Sequence, residues 1–506
     1  MRKILFILPC MFLALLMMAA GEIASAQSNP SLPSSFFKNR REALREIMPP
    51  NSVLVVFSNA EHDFTNDNAY PYHQNPDLYY FSGIKEPDAM MLIFKEPHKF
   101  MGMNRPLKEV IFMQESNPSM EQWTGARTTL KEAMETYQID TAIDAFRFRI
   151  FPINFSSFNI VLSDLLPVDI KPDLNNRADL FNLISQFKAK TGISRSPTQR
   201  DILISNLIIE RNNPAQKALI DTLLKEHINF VLYNRLTSQL REVKTPEELS
   251  VLKKAVDITC SGQNEAVRSI TPSMSEMEIQ GIQEYMFRKG GAACEGFTSL
   301  IGSGNNGCKL FYTGNQGAHV GSSLVVMETG AEYQGYTAKV TRTVPGNGKY
   351  SPVQLELYRL VLAAHDSAIK AIRAGIPYEE VDRRGMDVLA KGLLQLGIIR
   401  DARQISSYCP HSISHSIGLE VYDKYLLGGV LKKNMVITVG PGLYFPKGSP
   451  CDKKYWGNGI RITDDILVLA DHGEVLSKST PVKPEEIESM MKGSSIFKTR
   501  NNGSGK

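Results

Sequence analysis

The decisive stretch of this 506-residue sequence is Glu328-Thr329-Gly330-Ala331-Glu332-Tyr333-Gln334-Gly335-Tyr336, with Val340-Thr341-Arg342-Thr343 close behind it. It lies in a β-rich segment, Leu324–Val344, in which glycines mark the turn. Other β-rich segments and two long helical segments surround it, namely Gly296–Tyr312, Met435–Tyr444, Gly459–Leu469, Pro352–Arg373 and Tyr378–Leu396. This half of the chain therefore predicts strands and helices that alternate around glycine-rich turns.

Four more strings stand in a fixed order around the decisive stretch. They are Leu310-Phe311-Tyr312-Thr313, His411-Ser412-Ile413-Ser414-His415-Ser416-Ile417-Gly418, Thr438-Val439-Gly440-Pro441-Gly442-Leu443-Tyr444 and Gly459-Ile460-Arg461-Ile462-Thr463-Asp464-Asp465. Together these strings resemble the aminopeptidase P branch of the creatinase and methionine aminopeptidase superfamily. The resemblance implies an α+β C-terminal domain with the pita-bread fold.

The first half of the chain has a different pattern. Strand-like runs at Ser52–Ser58, Met90–Phe94, Val110–Met113 and Asn159–Ser163 alternate with helical and turn segments, which predicts an α/β domain. Four of its strings resemble the N-terminal domain of the same branch, and they are Tyr70–Asn75, Leu78–Gly83, Glu86–Ala89 and Trp123–Arg127. The predicted fold is thus an aminopeptidase P-like α/β domain followed by the pita-bread domain.

The domain boundaries follow from composition and helix signals. We expect a polar lead-in at 27–35, the N-terminal domain at 36–197, a helical linker at 198–244, the pita-bread domain at 245–492 and a disordered tail at 493–506. The last domain starts at Thr245-Pro246-Glu247-Glu248, where a threonine cap, a first-turn proline and two acids favour a helix N-terminus.

The first 26 residues have the pattern of a secretory signal. Arg2 and Lys3 precede the apolar run Ile4–Ala20, and Ala24-Ser25-Ala26 supplies a cleavage site before Gln27. An uncleaved membrane anchor is the alternative, since the apolar run approaches a spanning length. No later stretch is long and apolar enough to span a bilayer. The protein is therefore expected to be exported, to a periplasmic or extracellular location, without a stable membrane span after cleavage.

Charge and cysteine content restrict the partners only slightly. The net charge is +4, and no dense basic face indicates a nucleic-acid partner. The expected mature chain has five cysteines, an odd number, so at least one is unpaired or pairs between chains. Cys294 and Cys308 flank a turn-like segment and could either pair across it or remain free. The sequence leaves the pairing of Cys260, Cys409 and Cys451 open as well.

The resemblance also implies a metal site. Active relatives hold two divalent metals, typically manganese, with two aspartates, one histidine and two glutamates, and the metals activate a bridging hydroxide. The matching positions in this chain are Glu328, Lys339, His415, Gly440 and Thr463. Four positions of the relatives' substrate pocket match Phe311, His411, Tyr422 and Arg461, and relatives carry histidine at the first and third of these.

These replacements predict that no metal is bound and that no catalytic residue is intact. A lysine about 4 Å from a dication costs on the order of 8 kcal/mol at an effective dielectric near 20. Gly440 has no side-chain ligand, and Asp464 points to the opposite strand face from Thr463. We expect Lys339 to pair with Glu328 instead. The alternative is a local misalignment, with Lys339 in solvent and Glu332, Glu420 or Asp423 in the site.

Three functions are compatible with this sequence. The first is an exported pseudo-peptidase that binds a peptide or protein ligand. The second is an active Xaa-Pro aminopeptidase with an atypical metal site, and the third is a metal-free hydrolase like creatinase. The third lacks its histidine, because Phe311 occupies the position. By analogy with the relatives we also expect a homo-oligomer.

Overall fold

The computed structural model describes residues 30–498, apart from 66–67, 168–169, 174–175, 194–226 and 427. The predicted signal segment, most of the predicted helical linker and residues 499–506 lie outside this part. Elements are numbered below in chain order within the described residues. None of the helices described there is long and apolar enough to cross a membrane.

The N-terminal domain is built on one mixed sheet. Its elements are α1 (Ser34–Ile47), β1 (Ser52–Phe57), β2 (Asp63–Thr65), β3 (Asn68–Ala69), α2 (Pro76–Ser82), β4 (Met90–His98), β5 (Leu107–Met113), α3 (Pro118–Thr124), α4 (Leu130–Glu135), β6 (Ala142–Asp144), β7 (Ile160–Ser163) and α5 (Leu180–Thr191). The strand order is β6-β5-β4-β1-β7, and β1 is parallel to β7 but antiparallel to β4. All four predicted strands and the α/β class are confirmed.

Both faces of this sheet are covered. Side chains alternate along β1, so Val53 and Val55 pack into one apolar cluster while Leu54 and Val56 pack into another. The second cluster continues into the C-terminal domain, where it includes Val251. The two domains therefore share a hydrophobic core.

Helix α6 (Phe230–Arg241) connects the domains through buried charges. Arg241 donates to Asp77 of the N-terminal domain over 2.7 Å and, through Nε, to Asp423 of the C-terminal domain over 3.0 Å. Lys244 pairs with the second oxygen of Asp423 at 2.9 Å. Because all of these side chains are buried and paired, the network fixes how the two domains meet.

The C-terminal domain contains the remaining elements. They are α7 (Pro246–Ser269), α8 (Glu276–Lys289), β8 (Cys294–Glu295), β9 (Leu300–Ser303), β10 (Leu324–Thr329), β11 (Ala331–Tyr333), β12 (Tyr336–Thr337), β13 (Val340–Pro345), α9 (Pro352–Ala371), α10 (Tyr378–Gln395), β14 (Ser414–Ser416), β15 (Val436–Val439), β16 (Gly442–Phe445), β17 (Asn458–Arg461), β18 (Asp464–Val468), β19 (Gly473–Val475) and α11 (Pro484–Met491). The predicted start of α7 is confirmed, because Thr245 and Glu248 form a reciprocal capping box.

Two helix pairs and two main sheets form the body of this domain. Helix α7 packs on α8 and α9 packs on α10, and the sheets have the orders β13-β10-β9 and β14-β15-β18-β19. Thr341 and Thr463 exchange both backbone hydrogen bonds at 3.1 Å, which joins the first sheet to the second. The predicted α+β class is confirmed, and this junction positions the site described below.

Two smaller expectations are resolved by the structure. The prediction of disorder from residue 493 is wrong for 493–498, because Ser495 donates to Glu265 over 2.7 Å and Phe497 packs edge-on against Tyr285. The five cysteines that follow the predicted signal segment are all free thiols. No bridge therefore links Cys294 to Cys308.

Candidate functional site

A cleft of about 390 Å³ opens in the C-terminal domain beside the junction of the two sheets. Six of the predicted site residues line it, namely Glu328, Phe311, His411, His415, Tyr422 and Arg461. Lys339 and Thr463 are buried close to this wall and contact residues of the set. The structure therefore brings the predicted positions together.

Short strands and their ends position these side chains. Glu328 lies on β10 opposite Thr341 of β13, and Lys339 comes directly before β13. His415 is the central residue of β14 and pairs with Thr438 of β15. Gly440 directly follows β15, Thr463 directly precedes β18, and Arg461 is the last residue of β17. Because the strand ends converge at one junction, residues far apart in sequence face a common space.

Lys339 and Arg461 both pair with the Glu328 carboxylate, one at each oxygen. Lys339 Nζ lies 3.0 Å from Glu328 Oε1, and Arg461 Nη1 lies 2.6 Å from Oε2. Burial alone would raise the pKa of Glu328, but the two adjacent cations outweigh it and hold this pKa at about 2. The predicted pairing of Lys339 with Glu328 is confirmed, whereas the contribution of Arg461 was not foreseen.

Lys339 also faces His415. His415 Nδ1 lies 3.0 Å from the Ser416 carbonyl oxygen and donates to it, so the Nε2 lone pair is free to accept. Lys339 Nζ approaches that lone pair at 3.4 Å. Burial and the lysine charge lower the pKa of His415 to about 3, so the ring is neutral near pH 7.

Two aromatic rings complete the surroundings of the ammonium group. Lys339 Nζ lies 5.6 Å from the Phe297 ring centre and 5.1 Å from that of Tyr422. Contacts of this kind stabilise a desolvated cation. Phe297 was not singled out from the sequence, because it belongs to none of the recognised strings. The ammonium group is thus held by a carboxylate, an imidazole and two rings, and its side chain is 1% exposed.

Gly440 and Thr463 fill each other's space. A Cβ atom placed on Gly440 would lie 2.5 Å from Thr463 Oγ1 and 3.1 Å from its Cγ2. Thr463 Oγ1 is buried and has no hydrogen-bond partner within the described residues. The threonine side chain therefore occupies the volume into which a side chain at position 440 would project.

The alternative acids are engaged elsewhere. Asp464 pairs with Arg342 at 2.7 Å and with His365 at 3.0 Å, on the opposite strand face as predicted. Glu332 pairs with His73 in the N-terminal domain. Glu420 and Asp423 belong to the Arg241 network. The alternative of a local misalignment with Lys339 in solvent is therefore wrong.

Asp465 is a further acid near the site that sequence reasoning did not use. Its Oδ2 accepts the backbone N–H of Lys339 over 2.9 Å, and it is fully buried. Burial raises the pKa of Asp465 well above its usual range. It supports the backbone of Lys339 rather than a bound cation.

These residues do not fit a dinuclear metal centre. Such a centre needs bridging carboxylates, and even a mononuclear catalytic zinc takes three protein ligands. The donors here are the carboxylate of Glu328, with a cation at each oxygen, and the imidazole of His415. Within the described residues there is no group of three or more His, Cys, Asp or Glu side chains that could hold a metal ion.

The mouth of the cleft is aromatic. Phe311 is 79% exposed and Tyr422 is 57% exposed. The loop that carries Phe311 is held by Glu276, whose carboxylate accepts from the Tyr312 hydroxyl at 2.9 Å and from the Gly317 N–H at 2.7 Å. The exposure of Phe311 therefore follows from an anchored loop.

His411 lies deeper than these rings. Its Nδ1 donates to the Ser412 carbonyl over 2.9 Å, and its Nε2 accepts from the Tyr444 hydroxyl over 3.0 Å. Burial and Arg461 lower the pKa of His411 to about 4. The cleft wall is thus uncharged at this position near neutral pH.

Comparisons with known proteins place this geometry in context. Residues 250–470 match the family described as Metallopeptidase family M24, and residues 37–150 match the family described as Aminopeptidase P, N-terminal domain. The chain is 31% identical to the Xaa-Pro aminopeptidase of Escherichia coli over 468 residues, which cover 90% of this chain and 97% of that protein.

Two solved structures of the Escherichia coli aminopeptidase P are also similar. The structure with the inhibitor Pro-Leu has a TM-score of 0.73, and the zinc-substituted form with product has one of 0.75. In both, the identity is 27%, with 91% of this chain and 98% of the other chain covered. The pita-bread fold expected from the sequence is confirmed.

Proposed function

The chain belongs to the aminopeptidase P family, and we propose that it is a non-catalytic member. In this proposal a buried ion-pair cluster replaces the metal centre, and the remaining cleft binds a peptide or protein ligand without cleaving it. No metal cofactor takes part.

One observation carries the proposal, and it is the position of the Lys339 ammonium group. It lies between Glu328 and His415, the two retained donor groups among the matching positions, and contacts both. A dication placed there would have to displace the lysine and also compete with Arg461 for the second oxygen of Glu328. Since both cations are buried, neither can be screened by water as it is at a surface.

The competing function is that of an active Xaa-Pro aminopeptidase, the name that the Escherichia coli relative carries. It would require a hydroxide-generating metal held by residues that this site does not supply. The metal-free alternative is weaker still, because Phe311 supplies no imidazole at the position where creatinase uses a histidine. Among the described residues of the cleft wall, the two imidazole Nε2 atoms already have partners, Lys339 for His415 and Tyr444 for His411.

The decisive experiment combines metal analysis with a peptidase assay. Purified protein, dialysed against manganese, cobalt or zinc, should retain less than about 0.1 equivalent of metal. It should release no N-terminal residue from Xaa-Pro peptides, under conditions in which the Escherichia coli enzyme does so. Two bound equivalents, or hydrolysis abolished by both a chelator and His415→Ala, would refute the proposal.

A gain-of-function variant makes a negative result interpretable. Combining Glu328→Asp, Lys339→Asp, Gly440→Glu and Thr463→Glu restores the full ligand set beside His415. If the fold still supports the centre, this variant should bind metal under the same dialysis. The unmodified protein then fails to bind because of its ligands and not because of the preparation.

We also propose that the protein is exported and forms a homo-oligomer. Export is supported by the signal-like residues 2–26, and cleavage would leave Gln27 as the N-terminus. Intact mass of the mature protein tests the cleavage, and full-length chains in a membrane fraction would contradict it. The oligomer is supported by family analogy, and sedimentation showing a clean monomer would contradict it.

A further inference from the structure

We propose that this cleft binds the C-terminal end of a peptide and that Arg461 contacts the terminal carboxylate. The inference rests on the proposed function, because it assigns a ligand class to the non-catalytic cleft. It follows from the charges of the cleft wall, from the free donors of Arg461 and from the aromatic mouth.

The charge of the ion-pair cluster is unbalanced. Lys339 and Arg461 supply two positive charges, and Glu328 supplies one negative charge, which leaves one positive charge. Asp423 is the other acid in the cleft wall, and it is already paired with Arg241 and Lys244. Asp465 accepts the backbone N–H of Lys339 but is fully buried outside the wall, and burial raises its pKa. Asp382 lies behind Ser414 and accepts both its backbone N–H and its hydroxyl.

The two imidazole rings of the cleft wall cannot make the net charge of the ion-pair cluster negative. His411 and His415 are acceptors at Nε2 when neutral, and protonation of either ring would add positive charge. An anion is therefore favoured at the floor of the cleft. A peptide amino terminus, which carries a positive charge, is disfavoured there.

Arg461 is the cation that a ligand can reach. It lines the cleft and its side chain is 11% exposed, whereas Lys339 is 1% exposed. Its Nη1 is paired with Glu328, and its Nε is buried and has no hydrogen-bond partner within the described residues. A guanidinium group has five donors in a planar fork that matches a carboxylate. The guanidinium group of Arg461 thus has a donor, Nε–H, without an acceptor among the described residues.

The mouth favours an apolar residue next to the carboxylate. Phe311 and Tyr422 expose their rings at the opening, and the Phe311 loop is anchored by Glu276. A proline or another apolar side chain can lie against these rings while the terminal carboxylate extends towards Arg461. This arrangement distinguishes a peptide C-terminus from a small inorganic anion, which would leave the rings uncovered.

Calorimetric titration with matched peptides tests the inference. The probes are N-acetyl-Pro-Leu with a free carboxylate, the same peptide as its C-terminal amide, and Pro-Leu amide with a free amino group. We expect the acid to bind at least about tenfold more tightly than either amide. N-acetyl-aspartate amide distinguishes an acidic side chain from a peptide terminus, and comparable binding of this probe would overturn the assignment to a C-terminus.

Variants connect the preference to one residue. Arg461→Met should abolish the preference for the acid, and Arg461→Lys should retain part of it because the charge remains without the fork. Arg403→Met removes a guanidinium group that is 90% exposed on the surface and should leave the preference unchanged. Circular dichroism confirms that each variant is folded.

Three results would overturn the inference. They are equal affinities for acid and amide, tighter binding of the free-amine peptide, and a preference that persists in Arg461→Met. Absence of saturable binding of the acid at about 10 mM would do so too. Each result leaves the non-catalytic assignment intact, because that assignment depends on metal content and hydrolysis, which these inert probes do not report.

Discussion

Removing the acid from the ion-pair cluster should be far more costly than removing its lysine. Glu328→Gln removes the carboxylate with which the buried side chains of Lys339 and Arg461 are both paired. Lys339→Met keeps the pairing of Glu328 with Arg461 at 2.6 Å and removes the excess positive charge. A cluster of only two charges would predict similar costs for the two changes, so their difference tests the three-charge arrangement.

The magnitudes follow from the distances. At 3.0 and 2.6 Å, each pair has a Coulomb attraction of about 5–6 kcal/mol at an effective dielectric near 20, before desolvation is subtracted. Removing one partner of a buried pair costs about 3–5 kcal/mol, so we expect Glu328→Gln to reach the upper end. Lys339→Met leaves no buried charge without a partner. We therefore expect it to lower the free energy of unfolding by about 1–2 kcal/mol, from the lost contacts with Glu328 and His415.

Urea unfolding of the two single variants and the double variant measures these costs. The double variant should recover part of the loss, with a coupling energy of about 2 kcal/mol. Lys131 and Glu135, an exposed pair at 3.8 Å, provide a matched control whose replacement should leave the midpoint unchanged. Equal costs for the two single variants, or additive costs in the double variant, would refute the reasoning.

Three further predictions follow from the same site. The pKa values of His411 and His415 are lowered to about 4 and about 3, so the unfolded chain binds more protons than the folded chain below about pH 6.5. The free energy of unfolding should therefore fall on acidification by about 1.4 kcal/mol per pH unit for each ring. His415→Asn should halve this slope in unfolding titrations, and an unchanged slope would contradict the prediction. The pKa of Glu328 is lowered to about 2, so its contribution to the free energy of unfolding is complete above about pH 4.5 and is lost as the pH falls towards 2. Glu328→Gln should remove this loss from acid unfolding titrations, and a loss that persists in the variant would count against the pairing. Gly440→Ala should lower the free energy of unfolding by about 1–3 kcal/mol because its Cβ meets Thr463. Thr463→Ala, which removes both Oγ1 and Cγ2, should relieve part of this loss in thermal melts. A Gly440→Ala variant of unchanged stability would contradict the steric contact.

Sequence patterns predicted the fold well because its signals are local and repeated. The strands of the N-terminal sheet are continuous apolar runs, as expected for strands covered on both faces, and Thr245 carries its capping box in the sequence itself. The position of Lys339 was also predictable, since an acid and a base on adjacent strands have few other partners in a buried site.

Other features of the site depend on distances that no sequence pattern contains. Arg461 stands in a recognised string, but its pairing with the second oxygen of Glu328 depends on how β17 meets β10. Phe297 reaches the ammonium group from a segment without a motif. The contact between Gly440 and Thr463 arises because β15 and β18 are neighbours in the sheet. The sequence alone does not give the distance between these two side chains.

The residues at positions 328, 339, 440 and 463 depend on one another for packing and charge. A carboxylate introduced at position 440 would collide with Thr463. An aspartate restored at 339 would face Glu328 with only Arg461 to neutralise both acids. A carboxylate introduced at position 440 alone thus has a steric cost, and one introduced at position 339 alone has an electrostatic cost. The packing at positions 440 and 463 and the charges at positions 328 and 339 are therefore coupled within this site.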